Sequence, residues 1–162
     1  MARIYISIGS NINPAENVQQ AVKGLRQHFN DVEVSPVYES EAVGFEGSNF
    51  LNLVVAASTE MDVYETNTLL HKIEDEYGRD RGGPRFSSRT IDLDLLLYDD
   101  AVVHESGLEV PRDEILQNAF VLWPLADVAA EVIHPQQGKT MAELWQAFDK
   151  SSQKLWPIEL EL

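Results

Sequence analysis

The chain contains 162 residues, of which 44% are apolar, with 27 acidic side chains against 12 basic ones and no cysteine. This composition predicts one globular domain over residues 1–162 and excludes disordered chains, fibrous chains and disulfide-stapled folds. The net charge of −15 argues against a nucleic-acid or anionic-membrane surface, because both require clustered Lys and Arg. Apolar runs fall short of the ~20 residues of a membrane span and the N-terminus lacks a signal-peptide core, so we expect a cytoplasmic protein.

Hydrophobic patterning predicts a β-α-β-β-α-β order over the first hundred residues. Strands are expected at 4–8, at 32–38 with an interruption at Pro36, at 50–56 and at 90–98. Helices are expected from an N-cap at Asn13 to about residue 29, and from Asp62 to Gly78. This order is typical of a ferredoxin-like α+β fold, in which helices pack on an antiparallel sheet.

The last sixty residues predict mostly helical additions to that unit. Val102 and Val103 indicate a short extra strand, and residues 113–130 indicate helical pieces broken by Pro124. A helix at 140–148 opens with a capping-box pattern at Thr140 and Glu143. The tail from Ser151 has weak periodicity and is expected to be loosely held.

The positive charge of the chain is concentrated in one segment. Residues 79–90 hold four of the 12 basic residues and one of the 27 acidic ones. Guanidinium groups match phosphate oxygens, and Gly82 and Gly83 give the segment freedom to fold over a ligand, which indicates a polyanion site. The alternative is a solvated loop whose arginines pair with surrounding acids.

Two carboxylates follow in the clearest strand. The period of two places Asp92 and Asp94 on one face, while Ile91, Leu93, Leu95 and Leu97 fill the other. Repulsion at a separation of ~7 Å is on the order of 2 kcal/mol at an effective dielectric of 20, so the pair calls for compensation. Mg²⁺ would supply this compensation, since it is commonly held by one or two carboxylates plus substrate phosphates. The alternative is an exposed sheet face on which the two carboxylates are merely solvated. The arginines beside the pair favour Mg-nucleotide binding and phosphoryl-type transfer.

A third candidate feature is aromatic. Phe50 and Asn52 share one face of their strand, where a flat heterocycle could stack on the ring and hydrogen-bond to the amide. A core Phe beside a strand-end Asn is the alternative interpretation.

These segments together resemble the 6-hydroxymethyl-7,8-dihydropterin pyrophosphokinase family of folate biosynthesis. The resemblance rests on Tyr5–Asn11, Gly44–Asn52, Gly78–Arg81, Arg89–Leu95 and Phe120–Pro124, in order along nearly the whole chain. It implies transfer of diphosphate from ATP, the co-substrate, to the hydroxymethyl group of the pterin, with release of AMP and with two Mg²⁺ ions. We therefore expect a protein that acts on small molecules, without nucleic-acid or membrane partners, and as a monomer.

The resemblance also assigns residues. It implies that Asp92 and Asp94 bind the metal ions and that Arg79 and Arg89 act with them in catalysis. It implies ATP contacts from Glu74, Arg81, Phe86, Leu95 and Arg112. It implies pterin contacts from Ser40, Val43, Phe50, Asn52 and Phe120.

Two other functions share this predicted topology. A non-catalytic sensor would bind a nucleotide or pterin without releasing AMP. An RNA-binding sheet is disfavoured by the acidic surface and by the lack of aromatic residues interleaved with basic ones on the strands.

Overall fold

The computed structural model describes residues 1–41, 49–78 and 91–162. The strands are β1 (Ala2–Ser10), β2 (Asn30–Val34), β3 (Val37–Ser40), β4 (Phe50–Thr59), β5 (Asp92–Tyr98), β6 (Val103–Glu105), β7 (Leu108–Val110) and β8 (Leu155–Ile158). The helices are α1 (Pro14–His28), α2 (Val63–Gly78), α3 (Glu114–Gln117), α4 (Ala119–Ala129) and α5 (Met141–Ala147). No helix in these described ranges is long and apolar enough to cross a membrane.

The main sheet has the strand order β5-β1-β4-β3-β8, and β2 also pairs with β4. Every pairing in it is antiparallel. β2 and β3 pair with successive stretches of β4 and are separated by Pro36, which lacks the N–H that a continuous strand would use there. The prediction of a mixed α/β fold with an antiparallel sheet and packed helices is therefore confirmed.

Both faces of the sheet are covered, because alternate residues of its strands are apolar on both sides. Ile4, Ile6 and Ile8 of β1 pack with residues such as Leu25 of α1 and Ile73 of α2. On the other face, a second core contains Tyr5, Val54 and Leu97 together with Leu122 of α4 and Met141 of α5. Helices α1 and α2 thus lie under one face, and α4 and α5 lie over the other.

The period-two prediction for β5 was wrong at Leu97. Ile6 pairs with Leu95 and Tyr5 pairs with Leu97, so the register shifts by one residue at Leu96. This bulge turns Leu97 away from Leu95 and into the second core. The expected separation holds at Asp92 and Asp94, which precede the bulge.

Helix starts follow the predicted capping patterns at two of three places. The Glu65 amide donates to Asp62 Oδ1 at 2.8 Å, and the Asp62 amide donates to Glu65 Oε1 at 3.3 Å. The α5 start has a complete capping box at Thr140 and Glu143. Asn13 precedes α1 as predicted, but it adopts φ of 42° and its side chain makes no cap hydrogen bond.

Two predictions for the C-terminal third were wrong. α4 runs through Pro124, and the break lies earlier, at the extended Asn118 between α3 and α4. The tail is not loose, because Leu155–Ile158 pairs with β3. The predicted extra strand is present as β6, which pairs with β7.

Candidate active site

A cavity of about 870 Å³ opens on the sheet face that α4 covers. It is lined by Ser7, Gly9, Ser40, Glu41, Phe50, Asn52, Asp92, Asp94, Arg112, Glu114, Phe120, Ser151, Gln153, Lys154 and Leu155. A separate depression of about 480 Å³ beside the end of β8 contains none of the predicted site residues. The larger cavity is therefore the candidate active site.

The two aspartates project from β5 into this cavity. Asp92 lies opposite Gly9 of β1 in the sheet register, and Asp94 lies opposite Ser7. Both carboxylates are partly exposed, whereas the intervening Leu93 is buried in the core. No group of three or more His, Cys, Asp or Glu residues within the described segments is placed to hold a metal ion. The protein thus places two partly exposed carboxylates side by side on one face of β5.

Gly9 has no side chain to fill the space between the aspartates of β5 and the Asn52 amide of β4. It lies between Asp92 on one neighbouring strand and Asn52 on the other. A Cβ atom at this position would lie only 3.1 Å from Asn52 Oδ1. A larger residue here would press on the Asn52 side chain, so glycine is favoured by this close approach and not by a special backbone conformation.

Glu74 and Leu95, both predicted to contact ATP, are not among the residues that line the cavity. Glu74 is buried on α2, and its Oε2 accepts a hydrogen bond of 2.8 Å from the Leu93 amide. It therefore fixes the backbone of β5 between the two aspartates. The side chain of Leu95 lies in the core beneath the opposite face of the sheet, so its side chain is not placed to contact a ligand in the cavity.

Arg112 lines the cavity, and its guanidinium group already interacts with two carboxylates. Its Nε and Nη2 donate to Glu114 Oε1 at 3.2 and 3.1 Å. Its Nη2 also lies 3.6 Å from Asp94 Oδ1. The guanidinium thus bridges the carboxylate of β5 and the first residue of α3.

The opposite end of the cavity is aromatic and amide-bearing. Phe50 and Asn52 lie on β4, and Phe120 lies in the first turn of α4. The Asn52 Nδ2 donates a hydrogen bond of 2.9 Å to Ser40 Oγ, and both residues are buried. Asn52 is therefore a fixed amide in the wall of a cavity, and not merely a polar residue at a strand end.

The structure thus brings together seven of the predicted site residues, namely Ser40, Phe50, Asn52, Asp92, Asp94, Arg112 and Phe120. Five further predicted site residues, Val43, Arg79, Arg81, Phe86 and Arg89, lie outside the described residues.

Several lining residues were missed by sequence reasoning. Ser7 could have been predicted from the sequence. It is a polar residue between two isoleucines, so the alternation of a strand places it on the face opposite to theirs, and this is the face on which it lies across from Asp94. Gln153, Lys154 and Leu155 belong to the tail, where no periodic signal exists. Their place depends on the pairing of β8 with β3, which joins residues more than a hundred positions apart.

A tyrosine–carboxylate pair links β3 to α4 near this site. The Tyr38 hydroxyl donates to Asp127 Oδ2, and the Tyr38 ring lies 4.4 Å from the Trp123 ring. Burial and this hydrogen bond raise the pKa of Tyr38 above its ordinary value. Partial burial raises the pKa of Asp127, against the lowering effect of the hydrogen bond from Tyr38. The pair fixes the distance between the sheet and the helix that carries Phe120.

Comparison with known proteins gives consistent results. The family model described as 7,8-dihydro-6-hydroxymethylpterin-pyrophosphokinase (HPPK) matches residues 5–130. A relative named 2-amino-4-hydroxy-6-hydroxymethyldihydropteridine pyrophosphokinase from Aquifex aeolicus is 35% identical over 145 residues, covering 88% of this chain and 90% of the relative. The Bacillus subtilis protein of the same name is 36% identical over 156 residues, covering 94% and 89%.

Solved structures support the same fold. The crystal structure of wild-type Plasmodium falciparum HPPK-DHPS matches with a TM-score of 0.70 and 13% identity over 90% of this chain. This chain spans only 44% of that longer one. The family match over most of the chain, the two relatives above 30% identity and the shared fold agree with the motifs in the sequence. The chain belongs to the 7,8-dihydro-6-hydroxymethylpterin-pyrophosphokinase family.

Proposed function

We propose that this protein transfers diphosphate from ATP to the hydroxymethyl oxygen of 6-hydroxymethyl-7,8-dihydropterin, giving AMP and the pterin diphosphate in folate biosynthesis. The observation that carries the proposal is one cavity with two kinds of wall. Asp92 and Asp94 form one end, and Phe50, Asn52 and Phe120 form the other. A phosphate-and-metal site beside a site for a flat heterocycle is what this transfer requires.

The heterocycle would bind at the aromatic end. Phe50 and Phe120 supply apolar faces for a planar ring. The Asn52 amide donates one of its two hydrogens to Ser40. Its second hydrogen and its carbonyl oxygen would then form hydrogen bonds with the polar edge of a pterin. Ser40 holds the amide in one orientation, so the edge is recognised without reordering of a side chain at binding. Val43 remains a proposed pterin contact.

The two aspartates suit Mg²⁺. Each is a hard oxygen donor, and Mg²⁺ commonly takes one or two protein carboxylates and completes its shell with water and substrate phosphates. The protein supplies that number of carboxylates on one face of β5, and we propose that they hold two Mg²⁺ ions. Bound Mg²⁺ would neutralise charge that develops on the transferred phosphates. Glu74 contributes by holding the Leu93 amide, which fixes the strand that carries both carboxylates.

ATP would bind beside this carboxylate end. Arg112 is proposed to contact its phosphates, and Arg79, Arg81, Phe86 and Arg89 remain proposed ATP and catalytic residues. Any contact from Leu95 would be made by its backbone, since its side chain lies in the opposite core. Phosphoryl-type transfer depends mainly on positioning and electrostatic stabilisation, which the metal ions and arginines would provide in the proposed reaction.

The strand order of β1 and β3–β5 supports interpretation of the core as a ferredoxin-like unit within a single domain of residues 1–162. We further propose that the enzyme acts as a cytoplasmic monomer. Size-exclusion chromatography with light scattering tests the oligomeric state.

The central experiment follows AMP formation from ATP, Mg²⁺ and 6-hydroxymethyl-7,8-dihydropterin. We expect AMP only when the pterin is present. Asp94→Asn should abolish AMP formation with an unchanged unfolding midpoint. Asp100→Asn is the matched control, since Asp100 is an exposed aspartate outside the cavity lining. Saturable binding of both ligands without AMP would contradict the proposal and would favour the non-catalytic sensor.

A further inference from the structure

The C-terminal segment touches both walls of the candidate pterin site. Gln153 Oε1 accepts a hydrogen bond of 2.7 Å from the Ala119 amide, and Gln153 Nε2 donates one of 2.9 Å to the Gln117 carbonyl. Its side-chain amide therefore spans the junction between α3 and α4. The next residue along α4 is Phe120, which lines the cavity.

This junction lacks a cap from its own sequence. The first amides of a helix have no partner inside it, and a side chain at the N-cap position usually accepts from one of them. Asn118 occupies that position in α4 with extended backbone angles, and its side chain makes no cap hydrogen bond. Gln153 supplies the missing acceptor from the tail, and its amide hydrogen satisfies the last carbonyl of α3.

The same segment is also bound to the opposite wall. Leu155, two residues after Gln153, lies opposite Ser40 in the pairing of β8 with β3. Ser40 in turn accepts the hydrogen bond from Asn52. A short stretch of chain thus bridges the Asn52 side and the Phe120 side of the cavity, with Gln153 hydrogen-bonded at one end and Leu155 paired in register with Ser40 at the other.

We propose that Gln153 is a positioning residue for the pterin, acting through Phe120. By anchoring the first turn of α4 to a segment that is itself paired with β3, it sets the place of the Phe120 ring relative to Asn52. This inference rests on the proposed function, because it assumes that the pterin occupies the space between those two residues.

The test separates KM from kcat in Gln153→Met, which keeps the length of the side chain and removes both hydrogen bonds. We expect the KM for the pterin to rise roughly 3- to 10-fold, as loss of hydrogen bonds of ordinary strength implies. The KM for ATP and the kcat should be unchanged. Gln153→Glu keeps the acceptor for Ala119 and loses the donor. Its pterin KM should therefore lie between that of the parent protein and that of Gln153→Met. Gln20→Met, on the exposed side of α1, is the matched control and should change nothing.

A double-mutant cycle with Phe120→Ala decides whether Gln153 acts through the ring. If it does, Gln153→Met should have no further effect on pterin KM in the Phe120→Ala background. An undiminished effect in that background would overturn positioning and indicate direct contact. A lowered unfolding midpoint with unchanged KM values would also overturn it. If Phe120→Ala itself leaves pterin KM unchanged, the placement of the pterin under the proposed function fails as well.

Discussion

The hydrogen bond between Ser40 and Asn52 predicts a separable loss of stability and of pterin recognition in Ser40→Ala. The bond is 2.9 Å long, and the two residues are 7% and 5% exposed. Removing the hydroxyl leaves a buried amide N–H without its acceptor, which costs about 1–3 kcal/mol. Because Asn52 borders the cavity, its amide can turn toward water there, so we expect the lower part of this range, about 1–1.5 kcal/mol.

The expected loss of pterin recognition follows from the Asn52 amide, which Ser40→Ala leaves without its hydrogen-bond acceptor. In the parent protein Asn52 is held in one orientation before the ligand arrives. In Ser40→Ala the amide must be ordered by the pterin, so the pterin KM should rise roughly 3- to 10-fold at saturating ATP. The ATP KM should be unchanged, since the aspartates lie at the other end of the cavity. Urea unfolding and steady-state AMP formation measure the two effects on the same preparation.

Ser35→Ala is a matched control for this experiment. Ser35, between β2 and β3, also carries a buried hydroxyl; it is 4% exposed and accepts a hydrogen bond of 2.9 Å from the Val54 amide. It does not line the cavity. We therefore expect Ser35→Ala to lose stability and to keep the parent pterin KM. A similar rise in pterin KM for both variants would refute the reasoning, because a general loosening of the sheet would then explain it. Additive effects of Ser40→Ala and Asn52→Ala on pterin KM would refute it as well.

Three further changes have expected outcomes. Gly9→Ala places a Cβ 3.1 Å from Asn52 Oδ1 and should raise the pterin KM more than the ATP KM, as steady-state kinetics would show. Glu74→Leu leaves a buried strand amide without its acceptor and should lower the free energy of unfolding by about 1–3 kcal/mol in urea titrations, whereas Glu74→Gln should cost less. The raised pKa of Tyr38 gives stability that is complete below pH 10 and is lost as the pH rises further, because the unfolded state ionises first. Tyr38→Phe should therefore show a smaller drop in unfolding midpoint between pH 9 and pH 11, and a cost of about 1 kcal/mol at neutral pH, since Asp127 is exposed.

Local patterns were sufficient to predict the carboxylate end of the site. Asp92 and Asp94 share a face because successive side chains of a strand alternate, and no distant contact is needed for that conclusion. The α2 and α5 starts were predictable for the same reason, since a capping box joins residues three positions apart. The aromatic end was located through the motif that contains Phe50 and Asn52.

Features that depend on distant pairings could not be predicted. The bulge at Leu96 arises from how β5 meets β1, and nothing in the apolar run of β5 indicates where it falls. The tail has little periodicity because its strand is short and contains Pro157, yet β3 leaves it a free edge to pair with. Pro124 was predicted to break the helix because proline removes one hydrogen bond. In the structure the lost bond is outweighed by burial of the apolar residues that surround it in α4.

The charges of the cavity predict that an anionic co-substrate binds only where additional positive charge is supplied. The described lining contains four carboxylates, from Glu41, Asp92, Asp94 and Glu114, and two cations, of which Arg112 is already engaged with two of those carboxylates. In a chain of net charge −15 this arrangement repels a polyphosphate rather than attracting it. The missing positive charge has two sources under the proposed function: Mg²⁺ ions on the aspartates, and the arginines of residues 79–90, which directly precede those aspartates in the sequence. Under the proposed function, the metal-binding aspartates and the arginines would belong to one short segment of chain, which would allow the rest of the protein to be acidic and still permit nucleotide binding.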